Sequence, residues 1–133
     1  MKIIVVGTGF VGLTHAATSS EYGHEVYAYD IDKARIAAYQ SAEPEAIAHY
    51  VNEPGLAEVI RENIGRYLFF TTDIEPIIEG ADAIFLCLPT PPNPDGSSDL
   101  SYYFAALETI AALLAQRVDQ RRVVLINKST VPI

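Results

Sequence analysis

The chain has 133 residues, half of them apolar, with 9 Lys and Arg against 17 Asp and Glu, giving a formal net charge of −8. That length and apolar share suit one domain with a core of its own. The acidic balance, with no basic run to follow a phosphate backbone, argues against nucleic acid and anionic membrane surfaces as partners.

Residues 2–6, Lys2 followed by Ile3, Ile4, Val5 and Val6, form an apolar run of strand length, the kind buried on both faces of a parallel sheet. Residues 10–22 read as a helix, with Val11, Ala16, Ala17 and Tyr22 for an inward face and Gly23 at its end. A basic residue followed by apolar ones would also open a secretory signal. Gly7, Thr8, Gly9 and Gly12 interrupt that stretch, and no apolar run reaches the roughly 18 residues that span a bilayer. A second strand over 25–29 precedes a helix over 31–39, whose apolar positions are Ile31, Ile36 and Tyr39.

From 40 to 53 the pattern dissolves, which predicts a loop or an irregular helical insert. Pro54 suits the first position of a further helix, where no amide hydrogen is needed; Leu56, Val59 and Ile60 supply its buried stripe as far as about Asn63. A strand over 67–71, a short helix over 74–79 and a strongly apolar strand over 83–88 follow. Residues 89–99, rich in Pro, Gly, Asn, Asp and Ser, form a loop. Asp99 caps a long helix over 100–116, and 123–127 gives a fifth strand. Strands alternating with helices, without internal repeat, predict an α/β fold: a Rossmann-type doubly wound parallel sheet in three layers. The chain stops at Ile133 with no helix covering the fifth strand, so the sheet is expected to continue beyond it.

Gly7-Thr8-Gly9-Phe10-Val11-Gly12 fits the G-x-G-x-x-G fingerprint. Alone it is weak; a strand before it, a helix after it and an acid at the end of the next strand point to a dinucleotide. Gly7 permits the tight turn, Gly9 lets backbone approach a pyrophosphate, and Gly12 lets the helix lie close to the strand. Free amides at the helix start then attract the phosphates. The competing account is a glycine-rich turn with no ligand. Asp30, about 18 residues past Gly12, is placed to accept hydrogen bonds from an adenosine ribose diol; its charge would repel a 2′-phosphate, so NAD is expected over NADP. Arg35 is the cation near the adenosine side, or else a solvated helix charge. Asp32 is better placed to cap the following helix.

Cys87, the one cysteine, cannot form an internal disulfide, which with the acidic composition fits the cytoplasm. It lies in an apolar strand with no basic neighbour to lower its pKa, so it is expected to pack as a small hydrophobe. His15, His24 and His49 are scattered, and no metal site is expected. Tyr102, Tyr103 and Phe104 read as core or interface residues rather than a stacking platform.

Taken together, these segments resemble the N-terminal NAD-binding domain of the UDP-glucose/GDP-mannose dehydrogenase family. The resemblance is carried by the glycine fingerprint through Leu13, Asp30-Ile31-Asp32 with Arg35, and Glu53-Pro54-Gly55-Leu56. More specific are Pro89-Thr90-Pro91-Pro92, the run from Asp95 to Tyr102, and Lys128-Ser129-Thr130-Val131-Pro132. It implies that residues 1–133 are the Rossmann domain of a longer enzyme, without its central helix and UDP-binding C-terminal domain. The implied activity is oxidation of UDP-glucose to UDP-glucuronate with two NAD in turn, through a thiohemiacetal and a thioester on a cysteine. GDP-mannose or a UDP-N-acetylhexosamine is the alternative substrate, and a stand-alone NAD-binding regulatory module the alternative of another class.

By the same resemblance, Gly7, Gly9, Phe10, Val11 and Gly12 bind the cofactor at its pyrophosphate, while Asp30 and Arg35 hold the adenosine ribose. Thr90 borders NAD, and Thr130 contacts NAD and assists catalysis by positioning water. Otherwise both threonines stabilise turns. Arg35 stands where the family often has lysine, which keeps the charge. The catalytic cysteine with its lysine, asparagine and aspartate partners lies downstream, so this segment alone is expected to bind NAD without oxidising sugar. The nucleotide sugar is expected to bind mainly to the missing part, in a homo-oligomer.

Overall fold

The structure, a computed structural model, describes residues 1–130. Its sheet holds β1 (Lys2–Val6), β2 (Glu25–Tyr29), β3 (Leu68–Thr71), β4 (Ala83–Leu86) and β5 (Val124–Asn127). All pairings are parallel, in the order β3-β2-β1-β4-β5. The chain therefore steps outward from β1 in both directions, and the crevice where ligands of such sheets bind opens between β1 and β4. Val6 lies level with Tyr29 on one side and Leu86 on the other, so three central strands end together.

Four helices, α1 (Phe10–Glu21), α2 (Lys33–Ser41), α3 (Pro44–Tyr50) and α4 (Leu56–Asn63), cover one face, while α5 (Ser101–Ala115) and a 3-10 turn, Glu75–Ile77, cover the other. Ile3 and Val5 pack with Leu13, Ala16 and Tyr39. Ile4 and Val6 pack with Ile77, Leu86 and Ile110 beyond the sheet. A strand covered on both sides has no solvent face, which is why β1 lacks polar alternation. This is the Rossmann-type, three-layered α/β fold expected from the sequence. β5 is the least covered strand, with Val124 59% exposed.

Several local expectations differ. The inward stripe of α1 is Gly12, Leu13, Ala16, Ala17 and Ser20; Val11 faces away from it and Tyr22 lies past the helix end, both exposed. Within 40–53, α3 is a regular short helix started by Pro44, but only Ile47 in it is buried, too few positions to show a period. Pro54 does not begin α4: Gly55, at φ 83°, caps it, and the helix starts at Leu56. The fourth strand ends at Leu86, and the short helix before it is the 3-10 turn. Leu100 is the N-cap of α5, while Asp99 contributes by accepting the Ser101 amide at 2.9 Å.

Candidate functional site

β1 runs directly into the glycine turn. Gly7 sits at φ +93°, and a Cβ there would lie 2.5 Å from the Cys87 carbonyl oxygen. A Cβ on Gly12 would lie 1.8 Å from the Gly7 oxygen, so α1 rests on the turn itself. Gly9 differs: a Cβ there would meet nothing within 4 Å. Gly9 is also the N-cap of α1, and no side chain caps the helix. Open space thus lies beside first-turn amides that have no side-chain partner, at the positive end of the helix dipole. Such an arrangement is able to receive an anion.

Asp30 follows β2 immediately, its side chain only 8% exposed. Its Oδ2 accepts from Thr8 N at 2.8 Å, Thr8 Oγ1 at 2.9 Å and Arg35 Nη1 at 3.1 Å, while Oδ1 accepts from Asp32 N at 3.0 Å. A carboxylate offers about four acceptor positions, so Oδ1 keeps one. Burial pushes the Asp30 carboxyl up, but the Asp32 and Thr8 amides, the Thr8 hydroxyl and the Arg35 guanidinium outweigh it; the group lies below its ordinary value and is ionised. Arg35 also stands 3.9 Å from Asp32 and 5.5 Å from the Tyr50 ring centroid. Asp32 caps α2 by accepting the Arg35 amide, as its position in the sequence indicated.

Below this pair, the fully buried Tyr39 donates its hydroxyl to Thr8 O at 2.7 Å. Burial pushes its phenol up to about 12, so the proton stays on the oxygen at physiological pH.

A cleft of about 370 Å³ opens here. Asp30, Arg35, Leu88 and Pro89 border it, with Tyr102 and Ala106 of α5. Ile31, read from the sequence as an apolar helix position, instead borders the cleft and is 70% exposed. Mostly apolar walls with three charged groups, Asp30, Asp32 and Arg35, fit a flat base carrying a hydroxylated sugar.

Of the residues assigned to the cofactor from the sequence, the cleft gathers Gly7, Asp30 and Arg35. Gly9, Phe10, Val11 and Gly12 form the adjoining turn, with the Phe10 and Val11 side chains exposed. Thr90 is half-buried in the loop after β4 and Thr130 is exposed after β5; neither borders the cleft. It is Ser129 that joins these strand ends, accepting from Leu88 N at 2.9 Å and donating to Leu86 O at 3.2 Å. Val131 and Pro132 lie outside the described residues. Tyr103 packs into the core as expected, whereas its neighbour Tyr102 borders the cleft.

Cys87 is buried directly after β4, and burial raises its thiol despite Lys128 nearby, so it packs as a small apolar group. The His15 ring lies 4.2 Å from that of Phe85, and burial, then Lys128, lowers its pKa. Thr8 and Tyr39 are the residues that sequence reasoning missed. Thr8 occupies a free position of the fingerprint, and Tyr39 shows only as an apolar helix position. Among the described residues no three His, Cys, Asp or Glu gather as metal ligands, and no helix is long and apolar enough to cross a membrane.

The family model for the UDP-glucose/GDP-mannose dehydrogenase family, NAD binding domain, matches residues 1–133. A UDP-glucose 6-dehydrogenase of Haloferax volcanii is 39% identical over 131 residues, covering 98% of this chain and 29% of the relative. Among solved structures, a GDP-mannose dehydrogenase of Pseudomonas aeruginosa matches with a TM-score of 0.86 at 28% identity. A UDP-glucose dehydrogenase of Pyrobaculum islandicum matches with a TM-score of 0.85 at 32% identity. Each of these two matches covers 98% of this chain and 29% of the other. The chain therefore spans less than a third of the length of these relatives.

Proposed function

The chain belongs to the UDP-glucose/GDP-mannose dehydrogenase family as its NAD-binding domain, and from that premise we propose that the cleft beside Asp30 takes the adenosine half of NAD. The observation carrying this is the Asp30 carboxylate: buried, ionised, bordering an apolar cleft, and fastened to the glycine turn by Thr8. In this reading Ile31, Leu88 and Pro89 flank the base, Asp30 accepts from the ribose, and Arg35 steadies Asp30. Gly7, Gly9, Phe10, Val11 and Gly12 receive the pyrophosphate through backbone, with the α1 dipole favouring its charge. Thr90 and Thr130, beyond the ends of β4 and β5, border the remainder of the cofactor, and Thr130 positions water near the reacting centre. Bound NAD supplies the two-electron acceptor for oxidising an alcohol carbon.

The whole protein is read as a cytoplasmic UDP-glucose 6-dehydrogenase that consumes two NAD per sugar. Relatives bearing that enzyme name, at 34% to 39% identity, support this substrate. GDP-mannose is the alternative substrate, by likeness to the GDP-mannose dehydrogenase of Pseudomonas aeruginosa. Turnover of each nucleotide sugar by the full-length enzyme separates them. In this reading the sugar and the catalytic cysteine belong to the part beyond this domain, and the full-length enzyme is a homo-oligomer. Residues 1–133 alone then bind NAD without turnover.

The direct test is calorimetric titration with NAD. Asp30→Ala should weaken binding about 10- to 100-fold, the range for a hydrogen bond to a charged group. Undiminished affinity in the folded variant would remove Asp30 from the site.

A further inference from the structure

Tyr39 lies on α2 with its ring wholly buried, tilted against Phe70 at 5.4 Å and edge-on to Tyr50 at 6.0 Å between ring centroids. A ring alone would fill that space. The hydroxyl adds one thing, its donation to Thr8 O at 2.7 Å. Thr8 is itself fully buried, and both its amide and its hydroxyl donate to Asp30 Oδ2. One run of hydrogen bonds therefore joins α2, the glycine turn and the end of β2.

Peptide planarity extends this run by one more group. The Thr8 carbonyl and the Gly9 N–H belong to the same rigid plane and point in opposite directions. Anchoring the oxygen on Tyr39 aims the Gly9 amide away from α2. Among the three fingerprint glycines, Gly9 is also the one whose Cβ position is open. The same bond holds Thr8 where its two donors clamp Asp30. With that clamp loosened, the Arg35 guanidinium, already 3.1 Å from Oδ2, is left as the main partner of that oxygen and nothing fixes the carboxylate relative to the glycine turn.

We infer that Tyr39 is a positioning residue: through Thr8 its hydroxyl fixes the Gly9 amide and the Asp30 carboxylate relative to each other, and so sets the preference for NAD over NADP. This rests on the reading of Asp30 as the ribose acceptor.

The test compares NAD and NADP affinities by calorimetry on the full chain carrying Tyr39→Phe, which keeps the ring. NAD affinity should fall about 3- to 10-fold, the worth of one neutral hydrogen bond, and NADP affinity should fall less, so the ratio narrows. A purely structural loss lowers the folded fraction and moves both affinities together. An unchanged ratio therefore overturns the inference, as does an unchanged NAD affinity. Thr8→Val, which removes one donor to Asp30 and leaves Tyr39 in place, should narrow the ratio in the same sense; a ratio equal to that of the parent overturns the inference even if Tyr39→Phe fails to fold. Asp30→Ala measured in parallel separates the two failures. If it leaves NAD affinity intact, the ribose reading falls and takes Tyr39 with it. If it weakens NAD while Tyr39→Phe changes nothing, only the role of Tyr39 falls.

Discussion

The two ends of the sheet each carry a network of charged and polar groups, and they are used differently. At the amino ends, the segment after α5 is tied to the turn before β4. Arg117, with a side chain only 3% exposed, pairs with Asp119, which also accepts from Gly80 N at 2.8 Å and Arg121 N at 3.0 Å. Glu79 accepts from Asp119 N at 2.7 Å, and Lys2 N donates to Asp82 at 2.7 Å. These groups meet one another and hold loops together, although the buried Arg117 Nε finds no partner among the described residues. At the carboxyl ends, Asp30 is just as firmly held, yet Oδ1 keeps an acceptor position, α1 has no side-chain cap, and an apolar cleft adjoins both. Charge and burial do not by themselves mark a binding site. What sets the carboxyl end apart is an open acceptor position beside a mostly apolar cleft.

Three measurements would break or sharpen that division. The largest effect is expected at Gly12→Ala, where the added carbon meets the Gly7 carbonyl and neither backbone has room to yield. Overpacking of this kind costs about 1–3 kcal/mol, so the thermal midpoint should fall by on the order of 10 °C and NAD binding should be lost. A normal melt with normal affinity would show that helix and turn do not touch. Next comes Arg117→Met at the opposite end. The midpoint should drop by roughly 5 °C while NAD affinity of the folded protein stays within about twofold. A parallel loss of affinity would erase the distinction between the two ends.

The smallest effect is a pH dependence. Because the folded Asp30 carboxyl titrates below its ordinary 3.8, its contribution to stability is present above that pH and is lost as the pH falls through the lowered value. Asp30→Asn lacks that contribution. The gap in midpoint between parent and variant should therefore be widest near neutrality and close below about pH 3.8. A constant gap would mean that charge is not what Thr8 and Arg35 stabilise.

The strands, and the placement of Asp30 beside the glycine turn, were the legible part of the sequence. β1 and β2 have the bounds read from their apolar runs, since a strand buried on both faces needs no partner to be recognised. Asp30 was legible because glycines and acid obey a fixed spacing along the chain. α3 was not, because one buried residue makes no period. Thr8 and Tyr39 were hidden for a deeper reason: their roles arise only when residues 31 positions apart are folded together. Which of Tyr102, Tyr103 and Phe104 would face the core was not legible either: Tyr103 packs there and Tyr102 borders the cleft, because that depends on where the preceding loop sets the helix down.

The crowding on Asp30 has a consequence for chemical design. Three donors already converge on Oδ2 and one on Oδ1, so an incoming small molecule finds a single vacancy on the carboxylate. A fragment bearing one well-placed alcohol would satisfy it. A second alcohol would have to displace the Arg35 guanidinium, making that side chain, more than the acid itself, the gatekeeper for competitors built on sugars.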